Sequence, residues 1–202
     1  SDVIQVLREK PNSALAESIR NLRTSILFSN IDHPPRVVMF SSAVPREGKS
    51  TTAMLTALTS RQMGKSAVLV DCDLRRPALA KVLRVSGNRP GLLSVINETA
   101  RLDEALHVEP NTGLHVLMTQ ASERTVKVNA ADVLASEKFR QLIAELAQTY
   151  DLVVLDTPPT LVVTDARIVS ALADAVVFCV RWDSTPRTAA KEGLRELTSV
   201  QA

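Results

Sequence analysis

Long hydrophobic runs are missing from this chain. No apolar stretch approaches the ~18 residues that would span a bilayer, and no secretory leader with a basic start and an apolar centre is visible in these residues. Cysteine is equally scarce. Cys72 and Cys179 stand far apart, in or beside apolar runs, and form no ligand pattern, so reduced thiols in a cytosolic compartment are expected. The three histidines, His33, His107 and His115, share no metal-ligand spacing and are expected to be structural or exposed. A charge excess is lacking too: 24 basic residues against 22 acidic give a formal +2, which does not argue for a nucleic-acid partner. The remainder is ordinary globular material, 45% hydrophobic and 23% charged in 202 residues, enough for one domain with one sizeable core. The chain opens on Ser1 rather than Met, as a piece cut from a longer protein would.

What the sequence does contain is concentrated in one stretch. Val37 to Phe40 is apolar and β-branched at its start, and Ala43 to Ser50 reads A-x-x-x-x-G-K-S, the Walker A spacing. The chemistry needs these residue types: backbone N–H groups between residues 45 and 50 can curl round a phosphate, Lys49 can reach the β/γ oxygens, and the Ser50 hydroxyl can ligand Mg²⁺. Gly48 lets the backbone approach closely. The anion would sit at the positive end of a helix starting near Lys49 and running to Met63. The expected nucleotide cradle is therefore Val44, Pro45, Arg46, Glu47, Gly48, Lys49, Ser50 and Thr51.

Two further apolar runs end in acids. Ser66 to Asp71 reads as a strand that delivers Asp71-Cys-Asp73 at its C-terminal end, and Tyr150 to Asp156 reads as a strand of Walker B form followed by Thr-Pro-Pro. In an open α/β sheet, ligands bind at the carboxyl ends of strands, so these carboxylates should gather beside the phosphate loop. Asp156 would hold Mg²⁺, and Asp71 and Asp73 would divide metal support and acceptor activation, a division the spacing leaves open. Asp73 could instead cap the next helix.

The rest supplies a framework. A helix is expected from Asn12 to Asn30, with Leu15, Ile19, Leu22 and Ile26 as its apolar stripe, Ser13 or Asn12 as its cap, and Glu17, Arg20 and Arg23 off that stripe or on its flank. Strands are expected at Arg36 to Ser41, Leu114 to Met118 and Asp174 to Val180 as well. Two short helices fall within Gly91 to Leu106, and a polar loop runs from Met118 to Asn129. A helical pair spans Ala130 to Gln148 with Ser136 capping its second part. A helix begins near Asp165, close to the site, and a last one runs from Pro186 to Val200. Strands separated by helices imply an α/β, doubly wound, mostly parallel sheet with helices on both faces. Between Arg61 and Arg89, seven basic residues face two acidic ones, a zone that anionic headgroups or an acidic peptide could use if it is not simply solvated.

Taken together these motifs resemble the bacterial tyrosine kinases of capsule and exopolysaccharide biosynthesis, over nearly the whole chain. The resemblance rests on Glu17-x-x-Arg20-x-x-Arg23, Walker A at 43 to 50, the run Val68-Leu-Val-Asp-Cys-Asp-Leu-Arg75, and Asp-Thr-Pro-Pro at 156 to 159. It implies a P-loop NTPase of the deviant Walker type, and Ala43-Val44-Pro45 lacks the early Lys of the chromosome-partitioning and septum-site branch, which favours the kinases. By this resemblance the chain would use ATP and Mg²⁺ with Lys49, Asp71 and Asp73 catalytic and Ser50, Asp71 and Asp156 on the metal. Glu17, Arg20 and Arg23 would close a homo-oligomeric ring, residues 1–35 being a helix and linker for that contact and 36–202 the nucleotide core.

The same likeness implies an acceptor in the tyrosine-rich tail of a neighbouring subunit or in another protein, and attachment to the cytoplasmic face of the bacterial inner membrane through segments outside this chain. Tyr150 is the only tyrosine and leads into a buried strand. A further strand usual after the last helix is missing, so a C-terminal truncation is expected. Other readings of the same residues are a switch ATPase and a non-catalytic module whose nucleotide holds an oligomer together.

Overall fold

The computed structural model describes residues 3–83, 85, 89–120, 122–123 and 129–198. Its strands are β1 (Val37–Ser42), β2 (Ala67–Asp71), β3 (His107–Val108), β4 (His115–Leu117), β5 (Leu152–Asp156) and β6 (Ala175–Cys179). They form one sheet in the order β3-β4-β2-β5-β1-β6. Pairing is parallel for β1 with β5 and β6 and for β2 with β4 and β5, and antiparallel for β3 with β4.

β1, β2 and β5 are buried along their full length, which is why they read as continuous apolar runs. Alternation persists between two cores rather than between core and solvent. Val37, Met39, Val68, Val70, Val153 and Leu155 face one helical layer, and Val38, Phe40, Leu69 and Val154 face the other. The first layer comprises α5 (Leu92–Ile96), α6 (Leu102–Ala105), α7 (Ala130–Leu134), α8 (Glu137–Thr149), α9 (Asp165–Ser170) and α10 (Arg187–Thr198). The second comprises α1 (Val3–Glu9), α2 (Ala14–Phe28), α3 (Lys49–Gln62) and α4 (Leu79–Val82). The doubly wound architecture expected from the sequence is the one observed. Met39 and Phe40, fully buried on opposite faces, each contribute about 1.5–3 kcal/mol of burial.

The five expected strands are present, and β3 is an addition. Local capping follows the sequence: the Ser13 hydroxyl accepts from the Ala16 N–H at 3.2 Å to start α2, and the Ser136 hydroxyl accepts from Phe139 at 3.2 Å to start α8. Leu7, Ala16, Ile19 and Ile26 lie in the same core cluster as Val38 and Phe40, so the segment before β1 is packed into the domain on one side and presents only its other side outward. Residues 121 and 124–128 of the expected polar loop, residues 199–200 of the expected last helix and Arg84 of the basic zone lie outside the described residues. Among the described residues no helix is long and apolar enough to cross a membrane.

Candidate nucleotide site

β1 ends at Ser42 and the chain turns through a loop into α3, whose first residue is Lys49. Two residues of that loop take left-handed backbone, Arg46 at φ 69° and Gly48 at φ 86°. Such turns point successive N–H groups into one concavity, an arrangement suited to an anion, and at Gly48 the conformation carries no Cβ cost. The loop is held open by an acid. Glu47, 9% exposed, accepts from the Val44 N–H at 2.9 Å and from the Arg181 N–H at 3.4 Å, and the Thr185 hydroxyl donates to it as well. The Ser42 hydroxyl donates to the Val44 carbonyl at 2.9 Å. Both backbone groups of Val44 thus have partners within the chain, and Pro45 has no N–H. These two residues of the expected cradle shape the loop, which leaves donation to the residues from Arg46 onward.

The carboxylates gather where the strand ends predict. Asp71 and Asp156 are partners in register, the last residues of adjacent parallel strands, so their backbones lie about 4.8 Å apart. The Lys49 ammonium donates to Asp156 Oδ1 at 3.2 Å and to the Ser50 hydroxyl at 3.0 Å. Burial raises the Asp156 carboxyl above the usual carboxylate range, and Lys49 opposes the rise. Asp71 is pushed up to about 7, first by burial and then by the charge of Asp156. Its oxygens accept from the N–H groups of Asp73 at 3.2 Å, Ala78 at 3.2 Å and Leu79 at 3.3 Å. Asp71 therefore supports the start of α4, the role the sequence offered to Asp73. Asp73 instead closes a turn by accepting from the Arg76 N–H at 3.0 Å, and at 9% exposure it is the more accessible of the two.

Asp71 and Asp156 stand side by side with Asp73 two residues on, and only Asp156 is bonded to the Lys49 ammonium, so acids outnumber the cation, and the side chains of these aspartates and of Ser50 offer hard oxygens. Both features fit Mg²⁺ better than a soft metal. Among the described residues no group of three or more His, Cys, Asp or Glu forms a cage for a metal ion. Mg²⁺ usually takes one or two carboxylates and completes its shell with water and phosphate.

Some supports were not legible beforehand. Asp165, expected near the site, is fully buried and receives Arg75 bidentately, at 2.8 Å from Nε and 3.0 Å from Nη2. This pair clamps the turn after β2 to the start of α9. Behind the loop, a Cβ at Gly193 would lie 2.8 Å from Thr160 Oγ1 and 3.1 Å from Ala43 Cα, so a side chain there would push α10 off the phosphate loop. On the rim, Trp182 is 94% exposed, beside the Arg181 N–H that reaches Glu47. Of the helix charges, Glu17 accepts from Arg20 at 2.7 Å on the open side of α2, whereas Arg23 turns inward and donates to the Ser60 hydroxyl on α3 at 3.1 Å.

A family model described as an AAA domain matches residues 35–201. The chain is 33% identical over 193 residues to the tyrosine-protein kinase YwqD of Bacillus subtilis (strain 168), covering 96% of this chain and 79% of YwqD. It is 29% identical to the succinoglycan biosynthesis transport protein ExoP of Rhizobium meliloti (strain 1021), covering 90% of this chain but 23% of ExoP, so it spans less than a quarter of that longer relative. The solved kinase domain of VpsO superposes with a TM-score of 0.77 at 32% identity, covering 93% of each chain. Because the AAA-domain match and the YwqD match both run through the loop and carboxylates described above, this chain belongs to the bacterial tyrosine-protein kinases, as its motifs implied.

Proposed function

We propose that this domain transfers the terminal phosphoryl group of ATP, with Mg²⁺, to a tyrosine hydroxyl on another polypeptide, and that it does so at the cytoplasmic face of the bacterial inner membrane in the control of exopolysaccharide polymerisation and export. One observation carries the chemistry: Lys49, Ser50 and Asp156 are bonded together at the mouth of the phosphate loop, with Asp71 in register beside them. The likeness to ExoP supports the polysaccharide setting.

Phosphoryl transfer asks for positioning and electrostatics rather than covalent help from the protein. N–H groups from Arg46 to Thr51 would hold the phosphates, and Lys49 would leave Asp156 in part to meet the transferred group. Ser50 and Asp156, supported by Asp71, would hold the cation. When bound, that ion supplies charge neutralisation between the phosphates. Affinity and access point to different carboxylates as the base: burial and the charge of Asp156 push Asp71 up to about 7, whereas Asp73 is the more exposed of the two. Geometry takes precedence over affinity, so Asp73 is assigned to the acceptor hydroxyl and Asp71 to interior support.

Tyr150 is not the acceptor. It is 8% exposed, its hydroxyl lies 2.6 Å from His115 Nδ1, and it precedes β5 at the end of the sheet opposite Asp156. Glu17 and Arg20 on the outer side of α2 are proposed as half of a subunit contact between copies. A heterologous interface of this kind joins unlike patches and can close a ring. The test supplies a tyrosine-rich peptide in trans with labelled ATP and Mg²⁺. Phosphotyrosine should form, and Asp73→Asn should lose transfer while still binding ADP. Release of free phosphate with no phosphotyrosine would overturn the kinase reading in favour of an ATPase.

A further inference from the structure

At the far end of the sheet from the phosphate loop, a second cavity of about 270 Å³ opens between α2, α3 and the segment leading into β1. Its walls are apolar where Ile26, Leu27, Pro35 and Leu152 meet, and its mouth is basic, with Arg23, Arg36 and Lys65 around it. One carboxylate, Asp151, shares the lining. Asp151 is already engaged, accepting from the Ser66 N–H at 2.8 Å and the Ser66 hydroxyl at 2.9 Å, and these bonds first, then Lys65 and Arg36, hold it below the usual carboxylate range. Three cations therefore face one acid whose hydrogen-bonding capacity is largely used.

The cations are not spent elsewhere. Arg23 places Nε on the Ser60 hydroxyl at 3.1 Å and Nη1 on Met63 Sδ at 3.3 Å, which fixes the guanidinium but leaves Nη2 without a partner among the described residues. Arg36 gives its backbone N–H to Asp174 at 2.9 Å and Nη1 to the Ala147 carbonyl at the end of α8 at 3.2 Å, and its other guanidinium donors have no partner among the described residues. None of the three makes an ion pair within contact distance among the described residues. Guanidinium groups with open N–H edges match the oxygens of a phosphate or carboxylate, and Arg23, already held at two points, loses little freedom on binding. The apolar floor beneath would be wasted on an inorganic ion, whereas a ring or short branched chain would cover it. A space of this size lies just below the range usual for small-molecule sites, which limits the occupant to a compact one.

We propose that this cavity is a binding site for a small soluble organic anion, a phosphate ester or carboxylate on a compact apolar body, separate from the nucleotide site. The position explains the basic excess of the Arg61 to Arg89 region only in part, since Lys65 alone of that zone contributes to the lining.

Phenyl phosphate is the probe, titrated into the protein already saturated with ADP and Mg²⁺ so that the phosphate loop is occupied, with amide shifts as the readout. Saturable shifts are expected at Ser60, Lys65 and Leu152. Arg36→Gln and Lys65→Gln should each weaken binding about tenfold, the usual cost of one charge-assisted hydrogen bond. Leu27→Trp, which fills the cavity with an apolar side chain, should abolish it while ADP binding is retained. The proposal is overturned by the absence of saturable shifts, by equal binding to the Leu27→Trp protein, or by inorganic phosphate binding as tightly as phenyl phosphate. It is overturned as well if vesicles containing phosphatidic acid bind through these residues while phenyl phosphate does not.

Discussion

Replacing Asp71 by Asn should make the metal-free protein more stable near neutral pH, although Asp71 is a residue of the site. The carboxyl moves from 3.8 to about 7 on folding because it is buried beside Asp156. At about 1.4 kcal/mol for each tenfold change in proton affinity, the ionised side chain costs the folded state at most about 4 kcal/mol at alkaline pH. Asn keeps the shape but has one acceptor oxygen, and Asp71 accepts three N–H groups. Losing part of that set at about 1 kcal/mol each leaves a net gain of about 2 kcal/mol, or about 4–8 °C in melting temperature for a domain of this size. The sign follows from linkage: a raised carboxyl favours folding fully below about pH 4 and loses that contribution as pH rises through about 7. Relative to wild type, the Asn protein should therefore be less stable in acid, where only the lost hydrogen bonds count, cross over between about pH 4 and 7, and level off as the more stable form by about pH 8. Urea titrations in EDTA across this range measure it. An Asn protein no more stable than wild type at the alkaline end, or a gap that ignores pH, would refute the argument. Adding Mg²⁺ and nucleotide should reverse the order, since ligand binding stabilises more strongly the protein in which Asp71 still supports the cation held by Ser50 and Asp156.

Lys49→Met should abolish nucleotide binding by calorimetry and also lower stability by about 1–3 kcal/mol, because Asp156, at 1% side-chain exposure, loses its partner and escapes only by taking up a proton. Arg75→Ala should cost about 2 kcal/mol in urea denaturation by stranding Asp165, a discounted value because Arg75 is 44% exposed; unchanged stability would remove the clamp. Glu17→Ala with Arg20→Ala should leave the monomer's stability within about 0.5 kcal/mol of wild type while shifting sedimentation toward monomer, more strongly at high salt. Wild type that stays monomeric with Mg²⁺ and nucleotide at high concentration would count against that contact.

The phosphate loop and the acidic strand ends were legible because each is contiguous in sequence: an apolar run, a turn, and a group whose chemistry needs that place. The remaining parts were not local. Glu47 looks like any loop acid, and its partner Thr185 is 138 residues away. Arg75 and Asp165 are 90 residues apart and meet only because β2 and the chain after β5 end side by side. β3 is two residues long, too short for any alternation to show. Capping could be read as a residue type but not as a particular residue at the turn after β2, where two aspartates two positions apart offered the same chemistry and Asp71 took the role given to Asp73. On α2 the even spacing of Glu17, Arg20 and Arg23 suggested one charged face, but α3 packs close enough for Arg23 to reach Ser60 and leave the other two outside. Expecting Lys49→Met to spare the fold would be natural from sequence, where the side chain has only a phosphate to reach. In the folded chain it also neutralises a buried acid.

Trp182 gives this protein an optical property of its own. It is the sole indole in the chain, it stands 94% exposed, and its loop is tied to Glu47 through the Arg181 N–H and the Thr185 hydroxyl. Emission excited in the indole band therefore comes from one place, the shoulder of the phosphate loop. In water it should be red-shifted and open to collisional quenchers such as iodide. A nucleotide seated in the loop that Glu47 holds would lie close to this single intrinsic fluorophore, so a change in its colour or quenching on adding ADP and Mg²⁺ would report occupancy in the unlabelled, unmutated protein.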